Sequence, residues 1–138
     1  MIWKVLEHTA DYSFRVFGRD IKSLSINSIT ALTQSIYDIA VLSDCDLLSK
    51  EIYIRSLNSD MLIIDILREL LYIIKTEKML PVNTTIQRIT NTDLEILVDF
   101  RRIIPADLEK IDIKAITYHK ATIRKAGNKL QFDVVCDI

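Results

Sequence analysis

The residues able to do chemistry gather near the two ends of this chain. Close to the start, Glu7-His8-Thr9-Ala10-Asp11 forms a polar knot between two apolar segments. The plain reading is a turn in which Thr9 and Asp11 bond the backbone. At the far end, Asp137 stands beside the Ile138 carboxylate, after the apolar alternation Phe132, Val134, Cys136. Chain ends normally fray into water. Here no polar tail follows Asp137-Ile138, so this end is expected to be held in place. The histidines are His8 and His119, and neither has a Cys or His neighbour at metal-ligand spacing. An ordinary hydrogen-bonded imidazole is the plain reading of each. No nucleophile-elbow serine is present. Cys136 lies inside the apolar alternation and reads as a packed thiol. Cys45 and Cys136 are too far apart in sequence to suggest a disulfide framework or a zinc site. Only two Gly and two Pro occur, which excludes a Gly-rich phosphate loop.

The elements that must position these groups can be read from hydrophobic period. Trp3 to Leu6 and Ser13 to Phe17 read as opening strands, the second alternating Phe14 and Val16 against Ser13 and Arg15. Asp20 is a helix N-cap candidate. Ile21, Leu24, Ile29, Leu32, Ile36 and Ile39 then predict an amphipathic helix reaching about Ile39. Glu51 to Leu57 alternates again. Asn58-Ser59-Asp60 can cap a second helix, on which Asp65, Arg68, Glu69, Tyr72 and Thr76 form one narrow polar stripe. The rest of that helix is mostly Leu and Ile, so it should be buried over most of its circumference, and Pro81 should help stop it. Thr84 to Thr90 and Leu94 to Phe100 predict a hairpin turning near Asn91 and Asp93. Ile111 to Arg124 is a long strand candidate, and Gly127-Asn128 turns it into a last strand, Lys129 to Ile138. The expected fold is α+β in two layers, with helices packed on one face of a largely antiparallel or mixed β-sheet.

The chain has 138 residues, 49% of them apolar and 27% charged, which is an ordinary globular composition. One domain spanning residues 1–138 is expected. Lys plus Arg number 18 against 19 Asp plus Glu, a net charge of −1. That balance argues against strong direct nucleic-acid binding. Met1-Ile2-Trp3-Lys4 does not read as a signal peptide. The apolar run Met61 to Ile74 is interrupted by Asp65, Arg68 and Glu69, so no membrane partner is expected. A cytoplasmic protein is the expectation.

Three ordered blocks then stand out: His8-Thr9-Ala10-Asp11, Lys114-Ala115-Ile116-Thr117-Tyr118 and Cys136-Asp137-Ile138. With the overall length, and with Glu69-Leu70-Leu71-Tyr72 in the second helix, the chain resembles the archease family. Family members often carry a Trp in that helix, where this chain has Ile and Leu. The resemblance implies a protein that activates the GTP-dependent ligase of tRNA splicing. It would promote guanylylation of the ligase's active-site histidine and repeated turnover. The partner is then the RNA-splicing ligase, with GTP and RNA met through it. The resemblance further implies a divalent-cation site, calcium first and magnesium second, with Asp11, Asp137 and Ile138 as ligands. Lys114 matches a lysine implicated in activation.

Elementary electrostatics agrees. Two Asp carboxylates and an α-carboxylate are all ionised at neutral pH and repel one another at close range. A hard cation with oxygen ligands resolves that repulsion. His8 and His119 could supply second-shell hydrogen bonds or be purely structural. Lys114 could be a plain counter-charge. Two other functions compete with the ligase-activator reading. One is a small metal-dependent phosphoester hydrolase using Asp11, Asp137 and His119. The other is a chaperone or modulator of a tRNA-modification enzyme. The catalytic kit is poor, so a non-enzyme is expected.

Overall fold

A computed structural model describes residues 1–7, 10–42 and 44–138. The chain runs β1 (Trp3–Leu6), β2 (Tyr12–Gly18), α1 (Ile21–Ile36), β3 (Tyr37–Asp38), β4 (Leu48–Arg55) and α2 (Ser59–Glu77). It continues through β5 (Met79–Ile89), β6 (Asp93–Arg102), β7 (Leu108–Glu109), β8 (Ala115–Ile116), β9 (Arg124–Ala126) and β10 (Lys129–Asp137). The class is α+β, as expected. The strands divide among three sheets rather than one. The first has the order β1-β2-β10-β8, with β9 also on β10; the second is β4-β6-β5, and the third is the short pair β3-β7. Every one of these pairings is antiparallel.

Local chemistry sets the helix ends. Asp20 caps α1, accepting the Ser23 N–H at 2.8 Å, and Asn58 caps α2, accepting from Met61 at 2.9 Å. Gly18 lets β2 run close under α1: a Cβ there would meet the Leu24 backbone nitrogen at 2.5 Å. The period suggested that α1 would reach Ile39, but it stops at Ile36. Tyr37 turns extended and pairs with Glu109, so tertiary strand pairing overrides the local pattern. Lys78, in the left-handed conformation at φ 57°, ends α2, and the chain enters β5 at once. Pro81 therefore sits inside a strand. It is tolerated because β5 is an edge strand whose register slips between Pro81 and Asn83.

The expected long strand over Ile111 to Arg124 is not formed. Only Ala115–Ile116 and, later, Arg124–Ala126 pair with β10. Between them the chain leaves the sheet because α2 holds it. Asp65 takes the Tyr118 hydroxyl and Asp60 takes the Ile123 N–H.

The core joins both large sheets to both helices. Phe14, Val16, Phe132 and Val134 come from the first sheet, and Leu94, Ile96, Val98 and Phe100 from the second. α1 packs on β1, β2 and β10 and also on β5, while α2 packs on β4, β5 and β8. Nine Leu and Ile of α2 are buried. Each contributes about 1.5–3 kcal/mol on burial, which makes α2 the central support of the fold. No described helix is long and apolar enough to cross a membrane.

Candidate functional site

The two central strands of the first sheet, β2 and β10, create the candidate site. β2 and β10 pair through Phe14↔Val134 and Tyr12↔Cys136. Continued by one residue, that register sets Asp11 against Asp137. Side chains alternate across a strand. Phe14, Val16, Phe132, Val134 and Cys136 fill the core, so Asp11 and Asp137 belong to the opposite face, with Ser13, Arg15 and Asp133. Further along that face the ladder is balanced: Arg15 makes a bidentate pair with Asp133 at 2.7 and 3.0 Å. Just past its end come two acids, and like charges set opposite each other cost stability unless something neutralises them. Both are exposed. Among the described residues neither carboxylate takes part in an ion pair or accepts a hydrogen bond. Ser13, on the same face, has a buried hydroxyl with no partner among the described residues.

Lys114 reaches this end through its backbone. β8 pairs with β10 at Ala115↔Asp137, and the Lys114 N–H donates to the Asp137 carbonyl at 2.7 Å. Its ammonium donates to Asp112, which also receives Lys75 at 3.3 Å. The hydrogen bond from Lys114 holds the Asp112 carboxyl below its ordinary range, and the same bond raises the Lys114 ammonium. Lys114 is thus beside the acidic end, with its charge committed to Asp112. His119 is exposed, its N–H donating to the Thr117 hydroxyl at 3.2 Å. His8 lies outside the described residues. Among the described residues no three His, Cys, Asp or Glu side chains gather as a metal ligand set. The expected set is smaller in side chains, two aspartates plus a terminal carboxylate. The donor chemistry of that set, all-oxygen and anionic, is of the kind a hard cation takes.

The block Lys114–Tyr118 is placed by β10 and α2 together. The Thr117 N–H and hydroxyl both donate to the Val135 carbonyl, at 3.0 and 3.1 Å. Tyr118 donates to Asp65, which also receives the Ser56 hydroxyl. That bond, with burial second, pushes the Tyr118 phenol above its ordinary value. The Arg68 guanidinium lies 5.1 Å from the Tyr118 ring centre. Lys75 donates to the Ile113 carbonyl at 2.8 Å. Two residues of the polar stripe of α2, Asp65 and Arg68, thus hold Tyr118, while Lys75 and Asp60 of the same helix hold Asp112–Ile113 and Ile123. Asp112, Lys75, Arg68 and Asp65 were not singled out from the sequence as neighbours of Lys114. The stripe was the available signal, but nothing in it names a partner some fifty residues away.

The chain is similar to known proteins over nearly its whole length. Residues 3–138 match the Archease protein family (MTH1598/TM1083). The curated Protein archease of Methanosarcina barkeri is 26% identical over 141 residues, covering 99% of this chain and 95% of the relative. Its counterpart from Methanosarcina acetivorans is 25% identical over the same shares. The solution structure of Methanobacterium thermoautotrophicum protein 1598 superposes with a TM-score of 0.78 at 21% identity, covering 99% of both chains. The crystal structure of an archease, possible chaperone (TM1083), from Thermotoga maritima gives 0.68 at 26% identity, covering 98% of this chain and 96% of that one. The chain belongs to the archease family.

Proposed function

We propose that this protein is a non-catalytic cofactor of RNA ligation in the cytoplasm. It activates the GTP-dependent tRNA-splicing ligase by promoting guanylylation of the ligase histidine and multiple turnover. The observation that supports the reading is the β2–β10 register, which runs to Tyr12↔Cys136 with Asp11 and Asp137 the next residues and the Lys114 block paired beside Asp137, in a chain of this family. Asp11, Asp137 and the Ile138 carboxylate are the groups to hold a divalent cation, calcium before magnesium. When bound, such an ion supplies positive charge and open coordination positions suited to phosphate oxygens. The chain's own part is positional. In this reading β10 and the bend before β2 hold the two carboxylates, the Lys114 N–H is tied to the Asp137 carbonyl, and Asp112 orients the Lys114 ammonium. His8 and His119 are candidates for hydrogen bonds to the ligands. GTP and RNA are met through the ligase. The Thermotoga maritima relative is described as a possible chaperone, which supports an accessory role.

The test is a ligase guanylylation assay with and without this protein. Asp11→Ala, Asp137→Ala and a chain extended by a few residues beyond Ile138 are compared with the unaltered protein. Stimulation by the unaltered protein alone, with all variants folded, is expected. Stimulation by all of them removes the carboxylates from the mechanism. Phosphoester turnover by the protein alone would favour an enzyme instead.

A further inference from the structure

We infer that the groove between the exposed side of α2 and β8 is a docking site for an acidic, extended segment of a protein partner. This deepens the proposed function, on which it rests for taking the ligase as that partner. The groove encloses about 360 Å³ and is lined by Arg68, Leu71, Tyr72, Lys75, Lys114 and Ile116 among others. Leu71 and Ile116 are nearly buried and form an apolar floor, while Tyr72 is 60% exposed. Three cationic side chains surround that floor. One carboxylate in contact with them, Asp112, is shared by Lys75 and Lys114. Among the described residues Arg68 forms no ion pair, and its guanidinium is set in place against the Tyr118 ring. Asp65 is already engaged by two hydroxyls, and Glu69 does not line the groove.

An excess of positive charge over an apolar floor, in a chain of net charge −1, is complementary to acidic residues interleaved with apolar ones. A volume of this size holds a few side chains. RNA fits less well. Tracking a strand takes a run of cations along several phosphates, and here the basic side chains end at Arg68 and Lys114. Ala115, on the groove wall, pairs with Asp137 through the backbone, so the groove borders the last strand.

The test uses the whole protein with three probes: a short fluorescent peptide alternating Glu and Leu, its Lys/Leu counterpart, and a single-stranded RNA oligonucleotide. The variants are Arg68→Glu and Tyr72→Ala, both on the exposed side of α2, with folding checked by circular dichroism. Saturable, salt-sensitive binding of the Glu/Leu peptide alone is expected, weakened about tenfold or more by Arg68→Glu and also weakened by Tyr72→Ala. Ligase affinity should fall in parallel in both variants. Equal peptide binding by all proteins, no saturable peptide binding, or tighter binding of RNA overturns the inference. So does unchanged ligase affinity in the variants. If the unaltered protein leaves ligase guanylylation unstimulated, the proposed function falls, while the peptide arm still judges the groove.

Discussion

Replacing Asp137 with Asn probes the acidic end with opposite signs in its two metal states. The register of β2 and β10 places Asp11 and Asp137 one step past the Tyr12↔Cys136 rung. Directly opposed residues of an antiparallel pair have Cα atoms about 4.5–5.5 Å apart. Two exposed unit charges roughly 6 Å apart in nearly bulk water repel by about 0.7 kcal/mol. Physiological salt cuts this to about 0.3 kcal/mol. Asn is nearly isosteric and removes that repulsion, so without metal the variant should be slightly more stable. With calcium at about 100 times its dissociation constant, the unaltered protein gains about 2.7 kcal/mol, which the variant lacks. For a domain of this size, 1 kcal/mol moves the melting temperature by roughly 4 °C. Asp137→Asn should therefore melt about 1 °C higher in EGTA and about 9 °C lower in calcium. Differential scanning calorimetry in the two buffers reads both numbers. A variant less stable in EGTA, or an unaltered protein whose melting ignores calcium, refutes the reasoning.

Three further outcomes follow from particular contacts. Asp107 accepts both Arg101 guanidinium nitrogens, at 2.9 and 2.7 Å, and the backbone N–H groups of Ala40 and Ile104, in a buried pair. Asp107→Ala strands the arginine charge and should cost about 3–5 kcal/mol in urea unfolding; a loss below about 1 kcal/mol would show the pair to be wet. The Arg101 guanidinium pulls the Asp107 carboxyl down to about 2, below its unfolded value of about 3.9. Its contribution to stability is thus complete above about pH 4 and lost as the pH falls toward 2, so acid unfolding of Asp107→Asn should lose part of the steepness in that window. Cys136 is buried, which pushes its thiol up to about 12, whereas Cys45 is exposed. Ellman's reagent at mildly alkaline pH should therefore titrate Cys45 at once and Cys136 only after denaturation; two fast thiols would contradict the packing of β10.

What the sequence disclosed, and what it hid, follows from how each signal is encoded. Asp20 and Asn58 act within three residues of themselves, so the helix starts were legible. The alternation Phe14-Val16 and Phe132-Val134 named the core face of the first sheet before any pairing was known. The failures came where distant partners decide. Tyr37 leaves α1 because Glu109 is there to pair with it. The stretch from Thr117 to Ile123 has strand-like composition, yet Asp60 and Asp65 of α2 draw it off the sheet edge. Pro81 looked like a helix stop and lies in an edge strand, because Lys78 had already ended α2. At the acidic end, the blocks around Asp11 and Asp137 were visible as separate motifs. Their opposition depends on the β2–β10 register, a long-range property that no local pattern carries. Lys114 was visible too, but its commitment to Asp112 was not, since two residues apart on an irregular segment can face either way.

The most direct measurement is a calcium titration of the isotope-labelled protein followed by backbone amide NMR. The amides of Asp11, Tyr12, Ala115, Asp137 and Ile138 should move together with a single midpoint, while distant acids such as Glu51, Glu77 and Asp99 stay still. Shifts scattered over those distant acids, or no saturable shift at the β2–β10 end, would contradict a shared cation site there.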